Sequence, residues 1–144
     1  MKMPTGRGSG LPDEKRIDVS VMQLERAKDI LRYIPVYIDA GDYNGAVNRA
    51  YYAAFHAIKA LEALEGFDSK KHSGVISHFR FGYIKTGILP TELSDIIEQL
   101  SIARENSDYN IVISFDAETA EQMHRISEIF VDTIDRFLSS DKED

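Results

Sequence analysis

Two sets of polar side chains in this 144-residue chain have the types and spacing for chemistry on a phosphate. Arg49, Tyr52 and His56 stand at i, i+3 and i+7 within residues 45–66, GAVNRAYYAAFHAIKALEALEG, and a helix there puts all three on one face. An arginine grips a phosphate through two parallel N–H bonds, a histidine moves a proton near neutral pH, and a tyrosine orients either. The plainer alternative has Tyr52 packing between helices while Arg49 and His56 pair with acids of a neighbour. Arg104 and Asp108, at i and i+4 and followed by Tyr109, form the second set. As an intrahelical ion pair they would contribute a few tenths of a kcal/mol, roughly 0.3. Arg104 also closes an apolar stripe, and an inward-facing arginine needs a specific partner.

Metal chemistry has little support. Glu121 and His124 make one Glu-x-x-His pair where a di-iron bundle needs two, and they read as a solvated helix face. His56, His72 and His78 show no four-residue spacing, and His-Glu-x-x-His is absent. No metal or other cofactor is expected. There is no Gly-x-Ser-x-Gly elbow or phosphate-binding glycine loop. Ser73-Gly74 after His72 reads as a helix start with local hydrogen bonding, although the free amides of such a start can hold an anion.

The elements that must position these residues follow from composition and periodicity. Apolar residues at 43% and charged residues at 28% are ordinary for one globular domain. With no cysteine, disulfides, thiolate metal sites and cysteine nucleophiles are excluded. No secretory signal core and no run of about eighteen apolar residues is present, so a cytoplasmic protein away from the membrane is expected. A net charge of −7 and a pI near 5.1 argue against a whole-surface grip on nucleic acid. A local basic cleft remains open, since Arg80 and Lys85 lie near Lys70, Lys71 and His72 in sequence while acids crowd the last third.

Residues 1–16, rich in glycine and proline, read as a disordered leader. A first helix is predicted over about 18–40, burying Val21, Leu24, Ala27, Ile30, Leu31 and Ile34, with Pro35 kinking or dividing it. Gly41-Asp42 turns into the long alanine-rich second helix, whose stripe is Val47, Ala50, Ala54, Ile58, Leu61 and Glu65, widened by Tyr51 and Phe55. Ser69 is a candidate cap for a third helix carrying Val75, Ile76, Phe79 and Tyr83. Thr91 opens a fourth with Leu93, Ile96, Ile97, Leu100 and Ala103 inward. Ile111-Val112-Ile113 has no partner strand and reads as an apolar plug in a loop. Asp116 caps a fifth helix burying Ala120, Met123, Ile126, Ile129, Phe130, Ile134 and Phe137, and an acidic tail follows at 140–144. The prediction is an all-α, up-and-down helical bundle of about five helices over residues 17–139.

Three segments in order, Asn48-Arg49-Ala50-Tyr51-Tyr52-Ala53-Ala54-Phe55-His56-Ala57, Lys71-His72-Ser73-Gly74-Val75 and Arg104-x3-Asp108-Tyr109, resemble the HEPN family (higher-eukaryote and prokaryote nucleotide-binding domain). The similarity covers roughly residues 19–138. It implies a small helical domain that forms a homodimer, is often encoded beside a minimal nucleotidyltransferase, and acts as a toxin or as that enzyme's helical partner. Active members are metal-independent endoribonucleases with an arginine and a histidine separated by four to six residues, two copies of the motif meeting at the dimer interface. In that chemistry arginine holds the scissile phosphate and histidine moves the proton.

Arg104 matches the arginine, but Tyr109, Asn110 and Ile111 stand where the histidine belongs. Arg49 and His56 have the spacing on a different helix. The resemblance also marks Tyr109 as the nearest candidate for the tyrosine that some nucleotidyltransferase partners adenylylate. The resulting expectation is a HEPN-like domain lacking the standard ribonuclease activity. It binds nucleotide or RNA, or partners a minimal nucleotidyltransferase in a toxin–antitoxin-type pair, through Arg49, Tyr52, His56, Arg104, Asp108 and Tyr109. Two alternatives stand beside it. One is an active endoribonuclease with Arg104 as phosphate clamp and His56 or His72 as acid/base, and the other is a purely structural interaction bundle.

Overall fold

The computed structural model describes residues 13–109 and 114–143. Among them are five α-helices and no strand. They are α1 (Asp13–Asp39), α2 (Tyr43–Glu65), α3 (His72–Phe79), α4 (Glu92–Tyr109) and α5 (Ala117–Glu143), with a π-turn at Arg80–Ile84 continuing α3. The protein is an all-α helical bundle, as the periodicity predicts.

Alanine dictates the arrangement around α2. Ala46, Ala50, Ala53, Ala54, Ala57 and Ala60 are wholly buried, and side chains this small let neighbouring backbones approach closely. α1 packs along α2 more extensively than any other pair, and α3, α4 and α5 all touch α2 as well. Tyr51, Ile58, Leu61, Phe79, Leu93, Ile97, Leu100, Phe130 and Ile134 fill the core around it. Two buried hydroxyls tie neighbours to helix backbone, Ser20 donating to the Ala60 carbonyl at 2.8 Å and Ser127 to the Ala50 carbonyl at 2.7 Å.

The helix ends follow local chemistry. Asp42 caps α2 by accepting from the Gly45 amide at 2.9 Å. Gly66 ends it with φ 77°, its amide bonding the Ala63 carbonyl while the Phe67 amide reaches Glu62, a left-handed cap that favours glycine. Asp116 caps α5 through the Thr119 amide at 2.8 Å, and that bond lowers its pKa.

Several expectations are corrected. α1 begins at Asp13, so residues 13–16 of the expected leader are helical, while residues 1–12 lie outside the described residues. Pro35 does not divide α1, which runs through it to Asp39. Val21 and Ile129 are exposed, because each stripe is narrower than the apolar pattern suggests. Ser69 does not cap α3, whose cap residue Lys71 has no side-chain bond. The Ser69 hydroxyl instead accepts from the Lys71 amide at 3.3 Å. α5 extends through Glu143, and the plug at residues 111–113 lies outside the described residues.

Candidate functional site

The polar residues of α2 sit on the flank that its alanines leave uncovered, and the neighbouring helices divide them between two clefts. The first, of about 830 Å³, lies between α3 with its π-turn on one side and α4 on the other, and Tyr51 of α2 contributes to its lining. Arg104 from α4 reaches into it. The Arg104 guanidinium carbon is 4.7 Å from the Tyr51 ring centroid and 5.9 Å from that of Tyr52. Asp108, one turn on, accepts from Arg104 at 3.4 Å, and its other oxygen accepts from the Asn48 side-chain amide at 3.0 Å. The Arg104 Nε is buried with no hydrogen-bond partner. Burial works against the charge, but Tyr51, Tyr52 and Asp108 outweigh it and the Arg104 pKa is raised. The result is a cation held in place by Tyr51 and Asp108.

His72, at the start of α3, meets the same cluster. Its Nδ1 lies 3.0 Å from the Tyr51 hydroxyl oxygen, and its ring stacks on Phe55 at 4.1 Å between centroids. Burial, then the charges of Arg104 and Lys59, lower the His72 pKa below its ordinary value. Burial pushes the Tyr51 hydroxyl up to about 12, so it stays protonated at neutral pH. Arg104, Tyr51 and His72 thus form one contiguous set, although they come from three helices.

Arg49 and His56 belong to the second cleft, of about 840 Å³, between α1 and α2. His56 Nδ1 is 2.7 Å from Gln23 Oε1 of α1. Burial, followed by the charges of Arg26, Lys59 and Arg49, depresses its pKa to about 4. The Arg49 guanidinium carbon lies 5.1 Å from the Tyr52 ring centroid, so the Tyr52 ring meets both arginines. The expected binding residues are thus divided between two clefts, Arg104 lining one and Arg49 and His56 the other. Of the two histidines offered as acid/base, His72 shares the Arg104 cleft and His56 does not. Tyr109 ends α4 with 77% of its surface exposed.

Tyr51 and Asn48 were missed as site residues. Both stand in the Asn48–Ala57 segment, but Tyr51 reads there as part of the apolar stripe. Glu62 was missed too. It is 2% exposed, and burial, then the charge of Glu65, pushes its pKa up to about 9. Among the described residues no group of three acidic or histidine side chains could hold a metal, and His124 makes a 3.7 Å pair with Glu128. No described helix is long and apolar enough to cross a membrane.

A helical bundle built on a central tyrosine- and alanine-rich helix, with an arginine from α4 held over it, defines a class. A family model described as "HEPN domain" matches residues 21–137, and the chain belongs to the HEPN domain family. Its relatives include a UPF0332 protein of Thermotoga maritima, 31% identical over 78% of this chain and 86% of that protein. Two proteins of Methanocaldococcus jannaschii are similar to it as well. "Putative toxin MJ0142" is 32% identical over 81% of this chain and 80% of its own length, and "Putative toxin MJ0605" is 33% identical over 80% and 85%.

Proposed function

We propose that this chain is a toxin-like HEPN domain that captures the phosphate of a nucleotide or RNA in the α3–α4 cleft. It acts as a homodimer or beside a minimal nucleotidyltransferase. The observation that carries the reading is Arg104, a part-buried cation that lines an open cleft and is braced there by Tyr51 and Asp108. Such a guanidinium has its ordering cost met before the ligand arrives, and a phosphate oxygen is the acceptor that matches its fork. The toxin names of the two archaeal relatives support the biological side of this reading.

The standard ribonuclease spacing is missing, because Tyr109 stands first among the positions where the histidine belongs. Binding without the standard cleavage is the primary reading. Arg104→Ala is expected to weaken RNA or nucleotide binding at least tenfold, the loss typical of a charged hydrogen bond of about 1.5–3 kcal/mol. Unchanged affinity overturns the reading. Light scattering alone, and with a co-expressed nucleotidyltransferase, tests the assembly.

One observation favours a second reading as an endoribonuclease with a rearranged site: His72 shares the cleft with Arg104 and touches Tyr51. With Nδ1–H donating to the Tyr51 oxygen, Nε2 keeps a free lone pair on a ring held neutral by its lowered pKa. It takes the proton of a ribose 2′-hydroxyl as that oxygen bonds the phosphorus Arg104 holds, and the expelled 5′ oxygen takes its proton from water. Cleavage of labelled RNA in EDTA, lost in His72→Ala and retained in His56→Ala, selects this reading. Absence of cleavage in the wild type excludes it.

A further inference from the structure

The α3–α4 cleft extends well beyond the Arg104 cluster. His72, Ile76, Arg80 and Lys85 line it along one side of α3 and the π-turn. At about 1.5 Å per residue that wall is roughly 20 Å long. Stacked nucleotides advance a strand by about 3.4 Å each, so a wall of that length has room for several.

The far end carries Phe81, which is 70% exposed and so takes no part in the core. Lys85 Nζ stands 5.2 Å from the Phe81 ring centroid, occupying one face of the ring and leaving the other. The π-turn that presents the pair is closed by the Lys85 amide bonding the Arg80 carbonyl at 2.9 Å, and wide turns of this kind recur at functional positions. On a chain of net charge −7, the cleft sets Arg80, Lys85 and Arg104 against Glu98 and Glu105. Arg80 pairs with Glu98 at 2.9 Å and Arg104 with Asp108 at 3.4 Å, so the cation offered to a phosphate backbone at the far end is Lys85, beside Phe81.

We propose that Phe81 and Lys85 form a base-stacking subsite at the far end of this cleft, so that its ligand is a single strand of several nucleotides. The proposal rests on the phosphate-binding reading of the same cleft. One phosphate sits at Arg104, the backbone follows the groove toward the π-turn, and a base lies on the open face of Phe81. Because every base presents a π-face, the subsite is indifferent to sequence.

Fluorescence anisotropy with a labelled RNA dinucleotide and octanucleotide at one salt concentration tests this. Wild type is expected to bind the octanucleotide more tightly than the dinucleotide. Phe81→Ala should weaken octanucleotide binding by about tenfold, leave the dinucleotide unchanged, and be rescued by Phe81→Trp. If Phe81→Ala binds the octanucleotide as wild type does while Arg104→Ala loses it, the subsite is wrong and the cleft reading stands. If Arg104→Ala loses nothing, both fall. If Phe81→Ala changes the particle mass in light scattering with RNA affinity intact, Phe81 is a protein contact and the subsite is overturned.

Discussion

The Arg104 guanidinium stands over the ring of Tyr51, 4.7 Å from its centroid, and Tyr51 itself is only 1% exposed. A ring buried to that degree cannot turn with the ligand, so the arginine is presented from a fixed support. Tyr51→Phe keeps the ring and should keep RNA affinity within about twofold, at roughly 1 kcal/mol of stability for the hydroxyl's lost contact with His72. Tyr51→Leu removes the support and is expected to weaken binding by about 2- to 30-fold, the equivalent of ~0.5–2 kcal/mol. Anisotropy and urea titration of both variants check the two effects separately.

Asn48 donates to Asp108, whose carboxylate it shares with Arg104, and its carbonyl oxygen accepts from Arg49 at 3.3 Å. Asn48→Ala should weaken binding by about 3- to 10-fold in wild-type background and by nothing further in Arg104→Ala. A double-mutant cycle measures this, and additive losses would mean that Asn48 acts elsewhere.

Glu62 makes stability depend on pH. Its pKa is about 9 when folded against an ordinary 4.5, so between those values the folded chain holds a proton that the unfolded chain releases. Stability from this group is complete below about pH 4.5 and is lost as pH rises toward 9. Glu62→Gln should therefore raise the melting temperature more at pH 8 than at pH 5. A difference that is the same at both pH values would contradict the assignment.

His56 has the opposite slope. With a folded pKa of about 4 against 6.5, the unfolded chain binds its proton first, and stability falls as pH drops from 6.5 toward 4. In His56→Gln the urea midpoint should fall less over that window than in wild type. RNA affinity should be unaffected, since His56 opens on the α1–α2 cleft.

The helices were legible because their apolar stripes are regular and their ends carry recognisable caps, Asp42 and Asp116 among them. The site was legible only in parts. Spacing correctly puts Arg104 and Asp108 on one face of α4, and it puts Arg49 and His56 on one flank of α2. Spacing says nothing about which neighbour covers which flank. α1 takes His56 through Gln23, whereas α3 and α4 bring His72 and Arg104 to Tyr51. Tyr51 escaped notice because a tyrosine on an apolar stripe looks like packing until a partner appears at its hydroxyl. Glu62 escaped for the reverse reason, since a charged residue reads as surface wherever it falls.

The short turn between α1 and α2 has a consequence in time rather than in space. The Gly41 and Asp42 amides close that turn on the Ile38 and Tyr37 carbonyls, and the two helices it joins share the most extensive contact in the molecule. Contacts so close in sequence cost little loop entropy and form early, making this hairpin the expected nucleus. The eight-residue α3 and its π-turn have far fewer neighbours and should open most often. Amide exchange should then be slowest in the middle of α2 and fastest along the cleft wall. A ligand lying in that wall would slow exchange there and leave α2 as it was.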